Sequence, residues 1–136
     1  MKAKVSWIDG MAFVGQSETG HKIVMDGDRD NGGAPSPMEM VLMSAGTCSA
    51  IDVVSILEKS KQKIVNVDVE LSAERAETIP KVFTKIHLNF VVTGTDVSEK
   101  HVERAVNLSA DKYCSVAKML EKAADVTHSF EIKAAN

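Results

Sequence analysis

The stretch Ser36 to Leu57, SPMEMVLMSAGTCSAIDVVSIL, constrains the fold more than any other part of the chain. Of the 20 residues from Met38 to Leu57, 13 are apolar and only Glu39 and Asp52 are charged. A surface helix of a globular protein carries roughly three to four apolar residues per two turns, so this segment is expected to be a core helix covered on most sides. Its start is marked by Ser36 as N-cap, Pro37 at the first helical position and Glu39 completing an S-x-x-E capping box. The apolar run approaches the length of a membrane span. However, it contains Asp52, is dotted with Ser44, Gly46, Thr47, Ser49 and Ser55, and has no basic flank before it. The core-helix reading is preferred, and no membrane association is expected. Cys48 falls three turns into the helix.

The flanking segments supply strands. Residues 2 to 9 alternate, with Ala3, Val5 and Trp7 opposite Lys2, Lys4 and Ser6, and residues 11–17 and 21–26 extend this into an antiparallel meander. Residues 26–35, DGDRDNGGAP, are turn chemistry throughout and are expected to be the most mobile stretch. After a basic break at 59–63, Val65, Val67, Val69, Leu71 and Ala73 alternate with polar residues, and Thr84, Ile86, Leu88, Phe90 and Val92 repeat the pattern. The two form a hairpin with one wet face, on which His87 is a solvated residue. Ser98 opens a helix with Val102, Ala105, Val106 and Ser109 at helical spacing. A short helix around Cys114 buries Val116, Met119, Leu120 and Ala123. A last strand puts Val126, His128, Phe130 and Ile132 on one face, where His128 is a hydrogen-bonded core or edge residue. Strands around a nearly all-apolar helix give an α+β fold. The length, 136 residues, predicts a single domain over 1–136. So small a chain can scarcely cover the long helix alone, which points to an obligate homodimer.

Composition narrows function mainly by exclusion. A net charge of −3 gives no electrostatic case for nucleic acid. Residues 1–9 alternate and do not form the apolar run of a signal peptide, which points to the cytoplasm, where two cysteines stay reduced unless used in redox chemistry. No glycine-rich phosphate loop, metal-ligand spacing or G-x-S-x-G is present, so no cofactor or metal is expected. What remains is the thiol pair. A buried cysteine is by default a small inert hydrophobe. The apolar surroundings of Cys48, and Asp52 one turn later on the same face, disfavour its thiolate. Cys114, at a helix start with Lys112 nearby, has the more favourable setting for ionisation.

The segment S-P-M-E-M-V-L-M-S-A-G-T-C-S-A-I-D-V-V resembles the cysteine-bearing helix of the OsmC/Ohr family (osmotically inducible protein C, organic hydroperoxide resistance). The proline start, the small-residue run, the cysteine about eleven residues after the proline, the position of Cys114 and the element order all match. The wording C-S-A-I-D-V-V-S-I-L is closest to the YhfA-like branch. The resemblance implies intertwined homodimers, with antiparallel sheets wrapped around paired central helices and active sites at the subunit interface. It also implies reduction of organic hydroperoxides without cofactor. Cys48 would be oxidised to a sulfenic acid, Cys114 would resolve it as a disulfide, and a dithiol would reduce that bond. Substrate-side residues would be Met38, Glu39 and Arg29. Three departures stand out. Met38 occupies the family's glutamate position, and Glu39 is one residue late, rotated by about 100° on the helix. Residues 1–28 contain no arginine, leaving Arg29 in the loop. Ser115 follows the second cysteine where proline is frequent. The alternative function is a non-catalytic dimer binding a small apolar or fatty-acyl ligand, with Met38, Met40 and Met43 as an adaptable wall. A thiol sensor that switches the dimer is a third reading.

Overall fold

Alternating patterns become two three-stranded sheets, and the apolar run becomes one helix of 23 residues. The structure is a computed structural model that describes residues 1–135. The elements are β1 (Ala3–Asp9), β2 (Ala12–Ser17), β3 (Lys22–Asp26), α1 (Pro37–Lys59), β4 (Lys63–Arg75) and β5 (Phe83–Thr95). They continue with α2 (Glu99–Leu108), a π-helical turn (Ser109–Tyr113), α3 (Ser115–Leu120) and β6 (Asp125–Ala134). The chain forms two compact units, Met1–Leu42 and the residues from Met43 onward.

In the first unit, β1, β2 and β3 form the expected meander. Gly10, at φ +54, makes the first turn, and Trp7 Nε1 donates to its carbonyl at 2.9 Å. The register puts Val5, Trp7, Phe13, Ile23 and Met25 on one face. Val5, Trp7 and Ile23 on that face remain exposed. The loop after β3 is better tied than its composition suggests. Asp26 Oδ1 accepts the N–H of Asp28 at 2.8 Å, Asp28 Oδ1 accepts those of Asp30 and Asn31, and Asp26 N donates to Pro35 O. Short aspartates bonding their own backbone give such a loop internal order despite its lack of apolar anchors. The loop delivers Ser36 to the helix start, where both bonds of the capping box form. Glu39 N donates to Ser36 Oγ at 3.2 Å, and Ser36 N donates to Glu39 Oε1 at 3.0 Å.

In the second unit β5 is the middle strand, with β4 antiparallel on one side and β6 on the other. Its core residues Ile86, Leu88, Phe90, Val91 and Val92 are buried, as expected of a strand covered by pairing on both edges. The pairing with β6 is parallel, which departs from an all-antiparallel sheet. A hydrophobic pattern fixes the face of a strand but not its direction, and the crossover through α2 and α3 returns the chain in the same sense. Two alternation readings also change at irregularities in the β4–β5 ladder. Val65 lies in a bulge between Ile64 and Asn66 and is exposed, and Thr84 falls opposite the Glu74/Arg75 irregularity, so that Phe83 takes the buried place. An extra residue in one strand shifts the side-chain phase.

α2 follows the sequence closely, with Ser98 as its N-cap and Val102, Ala105 and Val106 buried. α3 does not: Ala117 is its buried residue, while Met119 is 65% exposed. The intervening turn closes with Cys114 N to Ser109 O at 2.9 Å, an i→i−5 bond, and Cys114 itself is extended (φ −75, ψ 101), so α3 starts a new helical phase and does not continue that of α2. His87 is not simply solvated, since its two ring nitrogens bond Thr127 Oγ1 and Ser129 Oγ on β6 at 2.7 and 2.8 Å. His128 is exposed and its Nε2 meets Asn107 Oδ1 at 3.0 Å, an edge contact and not a core one.

Candidate active site

Three short pieces of chain build the site: the middle of α1, the π-helical turn and the first residue of α3. α1 comes close to β4 at Gly46. A Cβ there would stand 2.6 Å from Leu71 Cδ1, so glycine permits the approach. Cys48, Ser49 and Asp52 follow on the next turns. Cys48 is half-buried and Ser49 is 2% exposed.

Cys114 is fully buried and caps α3, its Sγ accepting the backbone N–H of Ala117 at 3.3 Å. Ser49 Oγ donates to the same sulfur at 3.2 Å. The two thiols are free and interact with each other. Burial pushes the Cys114 thiol above its ordinary value. The Ser49 hydroxyl and the Ala117 N–H pull it down, and the neighbouring Cys48 raises it again. The helix-start donor expected for Cys114 is therefore present, but desolvation outweighs it. Lys112 lies with its Nζ over the Tyr113 ring, 5.4 Å from the centroid, and is not one of the groups that shift the thiol. Below the thiols, Ser109 Oγ donates to Asp52 Oδ2 at 2.9 Å and lies 3.4 Å from Ser49 O, so the turn that carries Cys114 is tied to α1 at two further points.

An apolar groove of about 280 Å³ runs between α1 and β4 beside this site, lined by Met43, Gly46, Thr47, Ala50, Val69 and Leu71. A larger depression of about 890 Å³ opens on the β4–β5–β6 sheet. It is walled by polar groups such as Glu74, Lys85 and Asp125 and is lined by neither cysteine. Among the described residues no group of three His, Cys, Asp or Glu side chains is placed to hold a metal ion.

The other sequence-named residues, Arg29, Met38 and Glu39, lie in the first unit. Met38 is half-buried. Glu39 is held by its cap: bonds from the backbone and hydroxyl of Ser36, with a smaller effect of the Arg29 charge, keep its carboxyl below the ordinary range. The structure thus ties the Cys114 turn to α1 through Ser49 and Ser109, and Glu39 to Ser36. Sequence reasoning missed Ser49 as a partner of the second sulfur and Ser109 as the partner of Asp52. A signal for both was present, since each is a serine among positions otherwise filled by core residues.

Comparison with known proteins agrees with this architecture. The family model described as OsmC-like protein matches residues 28–129. Protein YhfA of Escherichia coli strain K12 is 58% identical over 135 residues, covering 99% of this chain and 100% of the relative. A solved structure, described as a hypothetical protein from Aquifex aeolicus VF5, is 31% identical, with a TM-score of 0.87 and coverage of 99% and 97%. At 18% identity, the organic hydroperoxide resistance protein OsmC from Legionella pneumophila shares the fold, with a TM-score of 0.70 over 96% and 95% of the two chains. The resemblance read from the Cys48 helix is therefore correct, and the chain belongs to the OsmC-like protein family.

Proposed function

We propose that the protein is a cytoplasmic, homodimeric thiol peroxidase that reduces small organic hydroperoxides with Cys48 and Cys114. The observation that carries this reading is a half-buried thiol on α1 and, at the start of α3, a buried thiol that receives two hydrogen bonds, one of them from the residue next to Cys48. Family membership and the name of the Legionella pneumophila neighbour support it. The Cys48 thiolate attacks one peroxide oxygen; an S–O bond forms, the O–O bond breaks, and the alcohol leaves after taking a proton. Cys114 then displaces hydroxide from the Cys48 sulfenic acid, and water leaves as the disulfide forms. A dithiol supplies the two electrons that restore both thiols. The apolar groove at Thr47 suits the organic part of the peroxide. Met38, Glu39 and Arg29 are assigned to the substrate side, with Arg29 as the guanidinium nearest in sequence to the helix start.

The homodimer is supported by uncovered apolar surface. Only 28% of the most apolar window of α1 is buried within the chain, and Val41, Met43 and Ile51 are exposed. By length and composition alone the helix could cross a membrane, a test that the core helix of a soluble protein also passes.

A second reading rests on the same groove: a non-catalytic dimer that holds a small apolar or fatty-acyl ligand there. Intact mass after mixing the reduced protein with one equivalent of cumene hydroperoxide separates the two. Loss of two hydrogens, absent in Cys48→Ser and Cys114→Ser, is the expected result. Both thiols still free after prolonged exposure would overturn the peroxidase and leave the ligand-binding reading.

A further inference from the structure

We propose that Ser49 is a catalytic residue of the disulfide-forming half-reaction, its hydroxyl stabilising the Cys114 sulfur as negative charge develops there. The inference rests on the two-cysteine reading above and assigns a group that the reading does not require.

The geometry is unusual for a helical serine. A buried hydroxyl needs a partner, and within a helix the nearest acceptor is the carbonyl one turn back. Thr47 takes that option, its Oγ1 donating to Met43 O at 3.0 Å. Ser49, 2% exposed, instead directs its proton across to Cys114 Sγ at 3.2 Å. A neutral thiol is a weak acceptor and a thiolate a strong one, so this bond gains most of its strength when the sulfur becomes anionic. The Ala117 N–H reaches the same sulfur at 3.3 Å. With two donors pointing in, the proton of Cys114 is directed away from Ser49 and Ala117 and is free to be given up to another group.

That orientation fits the resolving step. Once a hydroperoxide has converted Cys48 to its sulfenic acid, Cys114 attacks the Cys48 sulfur. The S–S bond forms, the S–O bond breaks, and the Cys114 proton passes to the departing hydroxyl, so that water leaves. No further oxidant or reductant enters. Ser49 keeps its own proton throughout. The Ser109 hydroxyl, bonded to Asp52 and close to Ser49 O, holds the Cys114 turn against α1 while this occurs.

The test is Ser49→Ala, with thermal unfolding as a check that the variant is folded. After addition of cumene hydroperoxide, rapid-quench samples are treated with dimedone to trap sulfenic acid, and intact mass counts the disulfide. Cys48 should oxidise at the wild-type rate while disulfide closure slows about threefold, the lost thiolate being partly offset by its greater nucleophilicity, so that trapped sulfenic acid accumulates. Closure at the wild-type rate, or equal slowing of both steps, would overturn the assignment. A second readout needs no peroxide. Absorbance titration of Cys114 in Cys48→Ser and in Cys48→Ser/Ser49→Ala should show about tenfold less thiolate at a given pH without the hydroxyl. Identical curves would overturn the proposal. Should the wild type fail to react with peroxide, the two-cysteine reading falls. A shift between the titration curves would then still uphold the action of Ser49 on the sulfur.

Discussion

At the residue scale, two influences on Cys114 oppose each other. Cys114 is dry, and dryness favours its protonated form; two hydrogen-bond donors favour the thiolate. Burial wins, so the folded-state value lies above that of the unfolded chain. Below the ordinary value of 9.0 both states hold the proton and the thiol adds no pH dependence. As pH rises through and beyond that value, the unfolded chain loses its proton first. Stability should therefore fall across the window up to the raised folded-state value. Urea unfolding of the reduced protein should show this alkaline loss, and Cys114→Ala should show less of it. Asp52 and Ser109 make a separate prediction. Ser109→Ala removes the donor from a part-buried carboxylate and should cost about 1–3 kcal/mol, measured by denaturant midpoints. A midpoint unchanged from wild type would mean that water replaces the hydroxyl without loss.

At the scale of elements, α1 was the most legible part of the chain. Ser36, Pro37 and Glu39 announced its start, and the structure forms both bonds of the capping box. Ser36→Ala should cost about 1 kcal/mol in thermal or urea unfolding. Glu39 titrates below the ordinary 4.5 because Ser36 bonds its ionised form. Its stabilising contribution is present above that ordinary value and is lost as pH falls through the lowered one, so the Ser36→Ala penalty should shrink in acid. Cys48 and Cys114 were legible as a pair because only two cysteines exist and one lies on this helix. What the residues concealed has specific causes. Val65 and Thr84 obey strict alternation in the sequence, and only pairing with a partner strand reveals the irregularities that displace them. Val126, Phe130 and Ile132 identify the inner face of β6 but not that the strand runs parallel to β5. The π-helical turn was hidden because one residue gained between Ser109 and Cys114 leaves no mark in composition. With the extended Cys114 behind it, α3 starts in a new phase, in which Ala117 and not Met119 is buried.

For the whole molecule, the surface left apolar is as informative as the core. Ile51 on α1 is 64% exposed, and Trp7 on β1 is 69% exposed, apolar surface that the proposed dimer gives a use. If a second copy covers α1, Ile51→Lys should convert the dimer to monomer in sedimentation equilibrium, and the wild-type melting temperature should rise with protein concentration. A wild type that sediments as a stable, folded monomer would remove the dimer and, with it, the interfacial placement of the site. The order of strands in the second sheet has a consequence for folding. β5, the most buried strand, lies between β4, made just before it, and β6, the last strand of the chain. Until β6 pairs, one edge of β5 stays open, with Phe90 and Val92 at hand to recruit a neighbouring chain. Exposure to aggregation during folding is thus set by how fast the end of the chain returns to close that edge.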